Sequence, residues 1–245
     1  MKLRSLTLSL ILALSLPLAV TATTRYVDLN NPAPAAPFDS WTTAATNIQH
    51  AIDAAQASDE VLVTNGVYET GGVAWVADHT NQIVLYKPIV VRSVNGPAVT
   101  TIRGVPGIGP NGLRCAYLVG GATLSGFTLA DGGTRAQAFI RPFPTYVGAG
   151  AYCESTAAVL TNCVIIGGAA DYGGGGVYSG TLIDCEISGN YCGYHGGGAW
   201  RSSLVRCRVN SNQGWKYGGG GKECSLTDCT LSNNYAGLFG AGAYQ

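Results

Sequence analysis

The sequence predicts an all-β chain: a parallel β-helix with 22-residue coils and a capping helix at its N-terminal end. Three observations carry this. Leu160, Leu182, Leu204 and Leu226 recur every 22 residues, and Cys163, Cys185, Cys207 and Cys229 keep the same step, so one repeat is one structural unit. Within a repeat such as Leu182-Ile183-Asp184-Cys185-Glu186-Ile187, the step from Cys185 to Ile187 is strand periodicity. The step of three from Leu182 to Cys185 then requires a corner between them. The other half of each repeat is a glycine run, such as Gly196-Gly197-Gly198. A leucine-rich repeat also fits this period, but it needs an apolar segment on its convex side, and glycine neither forms helix well nor buries surface.

This pattern points Leu182, Cys185 and Ile187 inward and Asp184 and Glu186 outward. Asn190, Asn212 and Asn234 follow at one position, where a short polar side chain can hold a turn. Gly175-Gly176-Val177-Tyr178 and Gly197-Gly198-Ala199-Trp200 come next. With these motifs the chain resembles the pectin-lyase-like right-handed parallel β-helix superfamily, over about residues 60–245. It is also similar to polymorphic outer-membrane protein repeats, from which it departs in having Cys at the Phe place and the Asn one residue later. The resemblance implies a right-handed solenoid of seven to eight coils. It implies no single activity, because that superfamily holds lyases, hydrolases, adhesins and passive surface proteins.

In chain order, residues 1–22 read as a signal peptide: Lys2 and Arg4, an apolar stretch from Leu6 to Leu18, then Val20-Thr21-Ala22 for cleavage. The apolar run is short for a membrane span, and no later stretch is long enough for one. The expected location is extracellular or the outer cell surface, most naturally of a bacterium. Residues 23–59 hold a short strand at Arg25–Leu29, a Pro/Ala-rich loop, and a helix within Ser40–Ala57. Ala45, Ile48, Ala51, Ile52 and Ala55 form its apolar face, and Thr42 or Thr43 is its expected N-cap. A solenoid cannot leave its first coil bare, so this helix, with Trp41, is the expected cap.

The β-helix proper spans residues 60–245, with regular repeats from 160. Val61 and Val63 point inward, and Gly71 to Thr80 reads as a loop holding His79. Strands follow at Ile83–Val94, Val99–Arg103 and Cys115–Val119. Ala122 to Leu129 is a fifth copy of the motif, with Phe127 at the Cys163 place. Leu124 and Leu160 differ by 36, so about 14 extra residues lie within Asp131–Gly150. A long insertion in a solenoid reads as a surface loop, often the binding one, which makes Arg135 and Arg141 candidate ligand residues. The last repeat ends at Gln245 after its glycine run, so the expectation there is an uncapped end that meets missing coils or another protein.

Composition excludes several functions. There are 14 basic and 14 acidic residues, which gives no field for nucleic acid. The eight cysteines contain no C-x-x-C and the three histidines are scattered, so no metal site is expected. Cysteines stacked at one repeat position have parallel Cβ vectors, poor disulfide geometry, and are expected to form a reduced ladder.

Two outward columns carry the candidate chemistry. Asn162, Asp184, Arg206 and Asp228 share one position; Val164, Glu186, Arg208 and Thr230 share the next but one. Stacking sets Arg206 between Asp184 and Asp228, and Arg208 beside Glu186, a self-satisfying charge ladder. Asp184, Arg206 and Asp228 are also the catalytic candidates, because the resemblance implies acids and arginines on such a face in uronate-cleaving enzymes. Asp184 and Asp228 lie about 9.6 Å apart by stacking, at the edge of the roughly 6.5–9.5 Å of an inverting pair. Arg206 between them lowers both pKa values, whereas an acid catalyst needs one raised. A second set is aromatic: Tyr172, Tyr194, Trp200 and Tyr217 are candidates for stacking on sugars, or for shielding the glycine-rich backbone.

Two functions stay open on the sequence. One is a secreted or cell-surface repeat protein with a structural or polysaccharide-contacting role. The other is a lyase or glycoside hydrolase acting on uronate-containing polysaccharide, with calcium as cofactor only if it is a lyase and no other cofactor expected.

Overall fold

The computed structural model describes residues 22–77, 79–136 and 143–245. Residues 1–21, which hold all but the last of the predicted signal peptide, lie outside these, as does Arg141. The chain is a right-handed parallel β-helix with four sheets running along it. The first sheet has eight strands, from Thr24–Val27 to Ser225–Thr227, and the second has seven, from Gly66–Tyr68 to Thr230–Ser232. The third has six short strands, from Gly107–Ile108 to Tyr235–Ala236. The fourth has eight, ending at Ala243–Tyr244. Register follows the repeat: Leu124, Leu160, Leu182, Leu204 and Leu226 align in the first sheet. Leu129, Ile165, Ile187, Val209 and Leu231 align in the second. Leu182 and Ile187 are 0% exposed, and each such burial contributes about 1.5–3 kcal/mol.

Each regular coil turns its corners on residues with left-handed backbone. In the coil from Leu182 these are Asp184 (φ 54), Gly189 (φ 62), Gly196 (φ 65) and Arg201 (φ 56). That is the odd step between Leu182 and Cys185. At the first corner Gly126, Asn162, Asp184, Arg206 and Asp228 all have φ between 49 and 76. Glycine, Asn and Asp tolerate this conformation best, so part of that column's composition is a backbone requirement.

Two side-chain ladders run inside. The Cys185 thiol donates to the Leu160 carbonyl one coil back (3.5 Å), and the Cys207 thiol to Leu182 (3.4 Å). Cys163 and Cys229 repeat the contact. A small apolar side chain that also satisfies a carbonyl explains a ladder with no disulfide, and all eight cysteines are unpaired. Burial pushes the Cys115, Cys153 and Cys192 thiols up to about 12. Thiol titration of denatured, unreduced protein is therefore expected to find eight free thiols, with those three silent in the native state at pH 8; fewer than four on denaturation overturns the ladder. The asparagines do more than hold a turn. Asn212 donates to the Ile187 carbonyl (2.8 Å) and to Asn234 Oδ1 (3.1 Å), and it accepts from the backbone and side chain of Asn190 (3.0 and 2.9 Å).

At the N-terminal end the helix spans only Ile48–Ala54. Trp41–Thr43 is a separate 3-10 turn, and Ala45 pairs with Val27. The cap is Asn47, whose side chain accepts from the Gln49 N–H (2.7 Å), not Thr42 or Thr43. Asn47 stands where the chain leaves extended geometry, which Ala45 had already fixed by pairing. Ile48, Ala51 and Ile52 close the first coil, and the Lys87 ammonium caps the helix C-terminus through Ile52 and Asp53 carbonyls. Trp41 stays 43% exposed, edge-on to Tyr26.

The segment Gly71–Thr80 is not a simple loop. Val73–Val76 pairs antiparallel with His79–Leu85, and His79 is fully buried. The described parts of the insertion also differ from a projecting loop. Gly133–Thr134 joins the third sheet, and a 3-10 turn at Phe143–Tyr146 lies on the outer face of the fourth. The cause is Arg114. It is 1% exposed and donates from Nε to Gly148 O (2.7 Å), and from its two terminal nitrogens to Asn81 Oδ1 (2.7 Å), Val147 O (2.8 Å) and Pro144 O. Nothing in the sequence around Arg114 marked it.

Candidate functional site

Two surfaces gather the predicted residues. The first is an open groove of ≈ 390 Å³ along the corner between the first and second sheets, lined by Asn162, Asp184, Glu186, Arg206 and Arg208 among others. Strand alternation sends Glu186 and Arg208 outward from the second sheet, one coil apart. The left-handed corner sends Asp184 and Arg206 outward beside them. Arg206 grips Asp184 with two parallel bonds, Nε to Oδ1 (2.8 Å) and Nη2 to Oδ2 (2.9 Å), and Arg208 meets Glu186 at 3.0 Å. The Arg206 hydrogen bonds hold the Asp184 carboxyl below the usual carboxylate range, and those same bonds raise Arg206. The predicted pairing of Arg206 with Asp228 does not form: a bidentate grip on one neighbour turns the planar guanidinium away from the other. Both pairs are exposed, so they set the shape and charge of the groove more than its stability.

The second surface is the ring-bearing flank beside the glycine run. Tyr172 stacks on Tyr194 (5.3 Å), and the Lys216 ammonium lies 4.2 Å from the Tyr194 ring centroid. Tyr217 is stacked between His195 (5.4 Å) and Phe239 (5.8 Å). These rings therefore stack on each other along the solenoid axis, coil upon coil, and their faces are already covered. Trp200, grouped in the sequence with exposed rings, is 3% exposed. It packs against Phe143, Tyr178 and the Gly173 backbone, where no Cβ would fit. For Trp200 the shielding role holds, because the insertion covers it. Tyr194 is 37% exposed at its edge. Arg135 donates to the Pro110 carbonyl. His195, inside this cluster, is pushed down to about 4 by burial and by the cations Lys222, Arg201 and Lys216.

Sequence reading missed Trp215, which is 60% exposed. Its signal was available: the 22-residue step sets Gly193 and Gly237 at the same place in the coils on either side. Among the described residues no three His, Cys, Asp or Glu gather as metal ligands, and no helix is long and apolar enough to cross a membrane.

No family model matches this sequence, and no curated protein matches it. Solved structures share its fold. Pectate lyase Pel9A superposes with a TM-score of 0.57 at 15% identity, over 90% of this chain and 56% of that one. A pectin methylesterase in complex with a hexasaccharide superposes with a TM-score of 0.50 at 12% identity, over 91% of this chain and 70% of that one. The chain thus spans little more than half the length of the lyase. The fold is the right-handed parallel β-helix that these structures share.

Proposed function

We propose that this protein is an exported or surface β-helix that holds polysaccharide on its outer face without cutting it. The observation that carries this is the state of the groove: Asp184 is gripped by Arg206 and Glu186 is paired with Arg208, so both carboxylates are engaged by partners within the chain. Support for polysaccharide as the ligand comes from the solved structures of like fold, a pectate lyase and a hexasaccharide-bound pectin methylesterase. Export rests on the basic and apolar leader of residues 1–22. The expected result is retention of the purified protein in gels containing pectate, alginate or a neutral glucan, with no release of reducing ends or unsaturated products, with or without calcium.

A second reading has one observation in its favour. Arg206 and Arg208 lie side by side in the corner groove, with Asp228 one coil further and outside any ion pair among the described residues. Under it the protein is a lyase or hydrolase of uronate polymers. Product release that disappears in Arg206→Ala or Asp228→Ala, with the fold intact, establishes that reading and defeats the first.

A further inference from the structure

A protein that holds polysaccharide must meet it on one face, and two faces compete. The groove carries two carboxylates against two guanidinium groups and has no surplus charge. The ring-bearing flank differs. Around His195 lie the cations Arg201, Lys216 and Lys222 and one carboxylate, Glu223. Lys222 and Arg201 both bind Glu223, each at 2.7 Å. Their hydrogen bonds, Lys222's first, hold its carboxyl down at about 2. Lys216 has no carboxylate partner among the described residues; its ammonium rests only on the Tyr194 ring. The groups around His195 thus carry a surplus of two positive charges, and one ammonium is unshared.

Trp215 precedes Lys216 in the chain. Tyr172, Tyr194, His195, Tyr217 and Phe239 on this flank pack ring on ring, whereas Trp215 makes no ring or cation contact among the described residues, and neither does Tyr235, which is 58% exposed and lines the same groove. Glycine precedes and follows Trp215 in its column, so its own column sets no side chain against its faces, and Tyr235 and Leu238 of the following coil line the groove beside it. Gly193 is compelled, since a Cβ there would sit 2.2 Å from the Asp171 carbonyl oxygen, and Gly237 likewise, at 2.1 Å from that of Trp215. Trp215 and Lys216 line an open groove of ≈ 250 Å³. A bare indole face is a platform for the apolar face of a pyranose ring, and an unshared ammonium is a partner for an anion.

Building on the glycan-holding reading, we infer that Trp215 and Lys216 form a binding site for a sugar acid, its ring on the indole and its carboxylate on the Lys216 ammonium. One unshared cation matches the single carboxylate of a uronate ring. A densely sulfated glycan needs several, and Arg201 and Lys222 are already engaged with Glu223.

The test is calorimetric titration of the purified protein with polygalacturonate, dextran sulfate and neutral dextran, at low and high salt. The variants are Trp215→Ala, Lys216→Gln, Lys216→Glu and Arg208→Ala, with Arg92→Ala as a control that removes an exposed cation from the first sheet. The expected result is salt-sensitive binding of polygalacturonate that weakens roughly tenfold in Lys216→Gln, the loss of one charge-assisted bond. It weakens at least as much in Trp215→Ala, further in Lys216→Glu, and not in Arg92→Ala. Each variant's melting temperature serves as the folding check. Equal binding of neutral dextran overturns the sugar-acid site and leaves the glycan-holding reading intact. Preference for dextran sulfate overturns the carboxylate assignment. Binding that falls in Arg208→Ala and survives Lys216→Gln overturns it by moving the ligand to the charged groove. No binding of any polymer overturns both readings.

Discussion

Replacing Gly197 with alanine is expected to break the stack between two coils. A Cβ at Gly197 would sit 2.4 Å from Gln213 C, 2.5 Å from Gln213 O and 2.6 Å from Gly219 O, all backbone atoms of the next coil. None of these can rotate away, as the end of a side chain could. Relief requires moving the third-sheet strand Gln213–Gly214 or the glycine run, both held by hydrogen bonds to the coils on either side. A cost of about 4 kcal/mol or more follows, at the severe end for single substitutions. In a chain of this size it lowers the melting temperature by roughly 8–16 °C. Gly189 supplies the control. It has φ 62, but a Cβ there meets nothing nearer than Ile166 Cγ1 at 3.9 Å. One and two coils later Ser211 and Asn233 stand at the same corner with φ 55 and 53. Gly189→Asn should therefore be close to neutral, and Gly189→Ala should cost about 1 kcal/mol. Thermal unfolding of the three variants checks this. Equal losses for Gly197→Ala and Gly189→Ala would mean that backbone freedom, not close approach, is what glycine supplies here.

That contrast shows where the sequence was legible. A 22-residue step in Leu, Cys and Gly states that coils stack in register, because only residues on one vertical column need to repeat. The inward Leu182, Cys185 and Ile187, the fifth copy at Leu124 and the helix over the first coil all follow from it. The two purposes of glycine were not separable, since the letter is the same at a corner with positive φ and at a close approach. Helix ends were read too long because Ala45 suits a helix face and a bridge to Val27 equally well.

The candidate site was legible in its charges and not in its rings. Arg206 and Arg208 pair with acids one coil back, as their columns imply, but a column cannot say which of two equivalent acids a guanidinium takes. Ring exposure depends on what covers the flank. Trp200 is hidden by an insertion whose path was not periodic, and Trp215 is bare because its column neighbours are glycines.

The path of that insertion depends on one buried cation. Arg114 carries its charge into the interior with no carboxylate partner among the described residues; burial pushes its pKa down to about 10, so it is still charged at neutral pH. Its compensation is four acceptors, at Asn81, Pro144, Val147 and Gly148, and the Tyr152 ring 5.3 Å away. In Arg114→Met the stem still packs, but the three carbonyls and the Asn81 oxygen lose their donor in a site that excludes water. Hydrogen bonds to a charged group are worth about 1.5–3 kcal/mol each. The relieved burial of charge offsets part of their sum. A net loss of about 3 kcal/mol is expected, with a melting temperature lower by roughly 6–12 °C. The damage should be local before it is global. The Phe143–Tyr146 turn loses its anchor, Trp200 becomes accessible, and limited proteolysis should cut between Gly133 and Gly150 while the coils from Leu160 onward survive. Arg114→Lys keeps the charge but offers a point donor that cannot span four acceptors, so it should fail to rescue. If Arg114→Met melts with the parent and resists protease as well, the guanidinium is not what holds the insertion down, and the aromatic contacts of Phe143 suffice.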